Sequence, residues 1–161
     1  MTIKHDDFTI TDLESELVVD KQCSTILQQF HQQLLKDDID PFEAGQLALG
    51  ADYFLRDFII GDRHLNIFTI DPDCVKQFAG HWYIIKNLEP NIKELTSLLQ
   101  GIGVFYTYLL QQELITSTLN DHIQTATLDL PFYHQRIEQF LDITGDGYLC
   151  WCKECPLPRL E

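Results

Sequence analysis

Basic residues are scarce in this chain: 11 lysines and arginines stand against 25 acids, for a formal charge of −14 at pH 7. Between Lys93 and Arg136 there is neither. That balance leaves no phosphate-gripping face, opposes nucleic acid and anionic membranes by long-range repulsion, and favours basic partners. Proline and glycine are few, 6 and 8 of 161 residues, and 45% of the chain is hydrophobic. Both facts exclude a disordered or low-complexity polymer. No apolar run approaches the length of a membrane helix. The opening MTIKHDDFTITDLESELV has neither the basic start and apolar core of a signal peptide nor the acid-poor character of a transit peptide. A soluble, cytoplasmic chain with no membrane partner is therefore expected. Its five cysteines then read as reduced thiols or metal ligands rather than a disulfide framework. Complete catalytic motifs are missing too: no His-Glu-x-x-His, no paired Glu-x-x-His, no Gly-x-Ser-x-Gly elbow, no phosphate loop. The reading leans away from an enzyme, although a catalytic pair built from distant residues is invisible at this level.

What is abundant is helical periodicity. From Asn91 to Ile115, one stripe holds Ile92, Leu95, Leu99, Ile102, Tyr106 and Leu109, and Leu98, Phe105 and Leu110 widen it. Such a helix is buried on several sides. Asn91 is placed to cap it, with Glu94 returning the bond as a capping box, and Gly101-x-Gly103 permits a close neighbour. Thr11 and Glu14 repeat the box before a first helix whose apolar face is Leu13, Leu17, Ile26, Leu27, Phe30 and Leu34, with Asp20-Lys21-Gln22 a candidate interruption. Pro41 opens a second helix to about Ile60, with Leu47, Ala51, Phe54, Leu55, Phe58 and Ile59 inward and Gly45 and Gly50 expected at close packing. Asp71-Pro72-Asp73 starts a third, bearing Val75, Phe78, Ala79, Trp82, Tyr83 and Ile85. Thr116-Ser117 and Asp129-Leu130-Pro131 introduce two shorter ones, and Gly145 suits a left-handed cap. The expected fold is all-α: a compact bundle of five to six helices with short connections and little or no sheet. One domain spans 1–161, with a loose arm at 1–10 and an irregular, cysteine-bearing tail at 145–161.

Phe54-Leu55-Arg56, the Thr69-Ile70-Asp71-Pro72 start, Phe105-Tyr106-Thr107-Tyr108-Leu109 and Leu114-Ile115 fall in a layout that resembles the helical core-binding domain of tyrosine recombinases and phage integrases, over about residues 54–123. The resemblance implies a compact helical fold. It would also imply DNA binding through basic helix faces, and chemistry from a separate domain with an arginine, histidine and tyrosine set. This chain departs on both counts: the matching helix has no positive charge after Lys93, and 161 residues leave no room for a catalytic domain. DNA is thus an unexpected partner.

Cys150-Trp151-Cys152-Lys153-Glu154-Cys155 is the sharpest local signal. Cys152 and Cys155 have the C-x2-C spacing with which two thiolates reach one tetrahedral zinc, and Cys150 shares a face with Cys152 if the segment is extended. The fourth ligand is open: His134, His122, Cys74 or a cysteine of a second chain. The alternative is three plain thiols in a tail packed by Trp151 and Leu149. Asp142-Ile143-Thr144-Gly145-Asp146-Gly147-Tyr148-Leu149 follows the first eight positions of an EF-hand loop, but Lys153 stands where the bidentate acid belongs. Calcium is therefore not expected, and a helix cap with a Gly-Asp-Gly turn explains the same residues. His31 and His81 read as core or interface histidines, His134 and Glu138 as a surface pair, and Arg56-Asp57 with Asp62-Arg63-His64 as a charged network at a helix end. Tyr83, Tyr106, Tyr108 and Trp82 read as core or interface, with a cleft between the third and fourth helices as the alternative. The function expected is a non-enzymatic protein-interaction or self-associating module, a homodimer included. A zinc-binding protein and a DNA-associated helical domain are the alternatives, the last disfavoured by charge.

Overall fold

In the computed structural model, which describes residues 3–159, seven helices follow one another and no strand occurs among the described residues. A 3-10 turn, His5–Phe8, precedes α1 (Leu13–Lys36). Helix α2 is Pro41–Asp52 with a π-wound continuation, Tyr53–Asp62; α3 joins Asp73–Gln77, a π-wound Phe78–Trp82 and Tyr83–Lys86. The chain ends with α4 (Ile92–Gln111), α5 (Ser117–Thr127), α6 (Leu130–Leu141) and α7 (Gly147–Glu154). The long apolar helix is the spine as read: Leu95, Leu99, Ile102, Phe105, Tyr106 and Leu109 are all buried.

Several local expectations give way to better partners. Asp12, not Thr11, caps α1, in a reciprocal box with Ser15. The helix then runs unbroken through Asp20-Lys21-Gln22, leaving Leu13 and Leu17 exposed. The arm at 1–10 is not loose where it is described: His5 stacks on Phe68 at 4.8 Å, Phe8 is buried edge-on against the same ring, and Asn66 donates to the His5 carbonyl. Nor is the cysteine-bearing tail irregular, since 147–154 is helical. Gly145 does take the left-handed φ of 57° expected of it, in the turn that reverses α6 into α7.

Helices α2 and α4 cross antiparallel, Leu47 against Gly101 and Gly50 against Leu98. A Cβ on Gly101 would overlap the Leu47 carbonyl oxygen, and one on Gly50 would stand 2.7 Å from that of Leu98. Gly45, by contrast, has nothing within 4 Å and no packing reason to be glycine. Beyond the crossing α2 unwinds to π geometry, Arg63 N–H donating to the Phe58 carbonyl five residues back. The π-wound part of α3 meets it there, and the rings of Tyr53, Phe54, Phe58, Phe78 and Trp82 interlock at centroid distances of 5.2 to 5.9 Å. Tyr83, Tyr106 and Trp82 are thus core, and Tyr106 uses its hydroxyl to hold the 63–72 connection through the Ile67 carbonyl at 2.8 Å.

Candidate functional site: a groove between α2 and α4

The antiparallel crossing leaves a groove of about 780 Å³ along one side of the α2–α4 pair. Along α2 its wall is Phe42, Gln46, Leu49, Tyr53 and Asp57, spaced four, three, four and four residues apart, so that they form one stripe. Across from them stand Lys93, Glu94, Ser97 and Leu98 of α4, with Asn87 and Asn91 closing the end beside Tyr53. The groove is chemically graded. Phe42 and Leu49 are 75% and 55% exposed at one end, and Asp52, Asp57 and Glu94 gather at the other.

The polar end is held by a hydrogen-bond chain. Asn91 caps α4 by accepting from Glu94 N–H at 2.8 Å, as read. Glu94 does not return the bond. Instead its carboxylate accepts from the Tyr83 hydroxyl at 2.8 Å, and that hydroxyl receives the Asn91 N–H at 3.2 Å. A buried tyrosine thus takes the second half of the capping box and ties α3 to α4. Asn87 donates to the Tyr83 carbonyl and to the Tyr53 hydroxyl, at 2.8 and 3.2 Å. Burial pushes the Tyr53 and Tyr83 phenols up, with nearby acids adding to it, so both stay protonated.

Arg56 is not itself part of the groove lining but bridges Asp52, which is, to α1. It makes a two-pronged pair with Asp20 of α1, at 2.9 and 3.0 Å, and a weaker bond to Asp52. Its sequence neighbour Asp57 has no ion-pair partner among the described residues. Desolvation, then Asp52 and Asp20, push the Asp57 carboxyl up against the opposing pull of Arg56. The charged network expected at this helix end is present, with Arg56 on Asp20 and Asp52, Arg63 on Asp62 at 3.5 Å and His64 on Glu16 at 2.9 Å, but Asp57 stays outside it as an unpaired acid at the head of the groove.

The C-terminal cysteines lie elsewhere. Because 147–154 is helical, Cys150 and Cys152 are about 200° apart around α7, not on one extended face. Cys150 is exposed, Cys152 half-buried, and Cys155 buried over Gly80, where its thiol approaches the Lys76 carbonyl at 3.5 Å. Among the described residues no three histidine, cysteine or acidic side chains gather closely enough to hold a metal ion. His134, the suggested fourth ligand, pairs with Glu138 at 3.3 Å. The region's centre is a cation, Arg136, 1% exposed, whose field reaches Cys152, Cys155 and Glu154 and would oppose a divalent ion there. Neither Arg136 nor Tyr53 stands out in the sequence. Each is one residue in an ordinary helical pattern, and only the fold gives it neighbours.

A second hollow, of about 760 Å³, lies between the start of α3 and the α5–α6 turn, lined by Asp71, Asp73, Lys76, His122, Asp129 and Tyr133. Three of its groups are engaged locally: Asp71 caps the Asp73 N–H, the Tyr133 hydroxyl donates to the Ala126 carbonyl, and the Lys76 ammonium lies 4.5 Å from the Phe132 ring centre. No helix among the described residues is long and apolar enough to cross a membrane. Comparison with protein-family models, with curated proteins and with solved structures matches nothing to this chain.

Proposed function

We propose that this chain is a non-enzymatic helical interaction module whose α2–α4 groove takes a protein partner. The observation that carries the reading is the pairing, along one side of α2, of exposed Phe42 and Leu49 with a hydrogen-bonded polar floor. Covering a large apolar side chain yields about 1.5–3 kcal/mol, so two anchors supply a useful gross driving force. Oriented donors and acceptors beside them add geometric selection, the usual division of labour in an interface. The polar groups lend themselves less to catalysis, because Tyr53 and Tyr83 are held as protonated phenols and no histidine or thiol lines the groove.

Photo-crosslinking from position 46 in intact cells tests this. With a benzophenone side chain replacing Gln46, at the groove wall, a discrete protein adduct is expected that position 138, exposed on α6 and outside the groove, does not give. Equal labelling from both positions, or none from 46, would overturn it.

A further inference from the structure

We propose that the occupant of the groove is a basic amphipathic segment of a partner protein, its apolar residues on Phe42 and Leu49 and a lysine or arginine against Asp57. This rests on the interaction-module reading and adds to it the chemistry and the orientation of the partner.

Three observations carry it. The first is the grading: from Phe42 to Asp57 the wall of α2 spans roughly 20 Å at helical rise, long enough to separate an anchor from a charge by several residues. The second is the local charge. The polar end holds Asp52, Asp57 and Glu94 against Lys93, three acids and one base, for a sum of −2. Arg56 pairs with Asp52 of this end at 3.2 Å but is shared with Asp20, outside the groove, through the closer two-pronged pair, so its charge offsets only part of the cluster. Asp57 therefore keeps an open position for a cation, which no side chain of this chain fills among the described residues. The third is the field of the whole molecule. At −14 two copies repel one another, and so does a nucleic acid, whereas a basic segment is drawn in. A second copy is the weaker occupant for that reason, despite the exposed leucines.

The experiment uses the full chain and two fluorescein-labelled helical peptides of about 14 residues. One has leucines and a phenylalanine on a stripe at one end and three lysines at the other; its counterpart carries glutamates for the lysines. Fluorescence polarisation is expected to show the lysine peptide binding and the glutamate peptide not, with binding weakened by salt. Asp57→Lys and Phe42→Asp should each weaken binding about tenfold or more, equivalent to about 1.4 kcal/mol. Leu128→Asp, an exposed apolar site outside the groove, should change nothing. Circular dichroism confirms that each variant is folded before it is scored.

Equal binding of both peptides, no binding of either, or binding of the lysine peptide that ignores Asp57→Lys and Phe42→Asp would each overturn the proposal. A dimer by light scattering that Phe42→Asp dissociates would also overturn it, while leaving the interaction-module reading standing. A position-46 adduct with a partner whose crosslinked segment is acidic would separate the two readings in the same way.

Discussion

Arg136 and Trp151 hold each other reciprocally: the guanidinium donates to the Trp151 carbonyl at 2.6 Å, while the indole N–H donates to the Arg136 carbonyl at 2.9 Å. The guanidinium also lies over the indole, its carbon 3.9 Å from the ring centre. A further bond from Arg136 Nε to the Gly80 carbonyl, at 2.8 Å, brings α3 into the same joint. One buried cation thus fastens α7 to both α6 and α3. Arg136→Ala leaves two buried carbonyls unpaired and should cost about 2–4 kcal/mol in urea unfolding. Arg136→Met, which keeps most of the packing volume, should cost less. Loss of Trp151 near-ultraviolet signal without loss of the other helices would place the damage at α7; an unchanged unfolding midpoint would refute the joint.

His81 makes that joint sensitive to pH. Its Nδ1 lies 2.7 Å from the Cys155 carbonyl and its ring 5.1 Å from that of Trp151. Burial pulls the imidazole below its ordinary value of 6.5, and Arg136 and Arg63 pull the same way against the Cys155 bond. The unfolded chain therefore takes up the proton first, so the contribution of His81 is complete above about pH 6.5 and is lost as pH falls below it. Unfolding midpoints measured from pH 8 to pH 5 should drop over the lower half of that range, and His81→Gln should flatten the slope there.

Asp57 should be a site where stability is given up. Its carboxyl is pushed up by desolvation and by Asp52 and Asp20, so ionisation at neutral pH works against the fold. Asp57→Asn is expected to raise the unfolding midpoint slightly, by about 0.5 kcal/mol at most because the group is exposed to solvent. The same change should weaken binding of the lysine peptide. A destabilised Asp57→Asn would contradict the assignment of Asp57 as an unpaired acid.

The two glycines of the second helix should respond in opposite directions. Gly45→Ala meets nothing within 4 Å and should stabilise by about 0.5–1 kcal/mol through helix propensity. Gly50→Ala drives a methyl toward the Leu98 backbone and should destabilise by about 1–3 kcal/mol. Thermal melts of the pair, run side by side, decide whether the crossing is as tight as described.

Thiol titration distinguishes a plain tail from a zinc-holding one. In the fold described, Cys150 reacts at once and Cys152 more slowly. Cys23 and Cys74, buried and pushed up to about 12 and about 11, wait with Cys155 for denaturant. A zinc ion shared by Cys150, Cys152 and Cys155 would instead protect all three until a chelator is added. That second pattern would show α7 to rearrange around metal.

The helices were readable because burial and periodicity coincide. Leu95, Leu99, Ile102 and Leu109 are where the stripe put them, and Gly101 was recognised as a packing position. Of the residues carrying the integrase-like resemblance, Phe54, Leu55, Phe105 and Leu109 are fully buried, whereas Arg56, Thr69, Asp71, Leu114 and Ile115 are half-buried or exposed. What escaped was tertiary. The π winding of Tyr53–Asp62 and Phe78–Trp82 leaves the apolar pattern intact, so nothing in the spacing announces it. Helix α7 was missed because its outward face carries Tyr148 and Leu149 and its burial rests on the single Trp151. The groove is not legible in the sequence because its two helices are separated there by the whole of α3 and are brought together at glycines whose partners only the fold supplies.

Those glycines have one more effect. With hydrogen atoms as the only spacers between Gly50, Gly101 and the backbones opposite, α2 and α4 have no room to slide or rotate against each other. The groove is therefore a fixed gauge, its width set at the time of folding and not at the time of encounter. A visiting segment has to order itself, but it finds a backbone already ordered, so on this side the entropy of assembly is confined to exposed side chains such as Phe42 and Leu49.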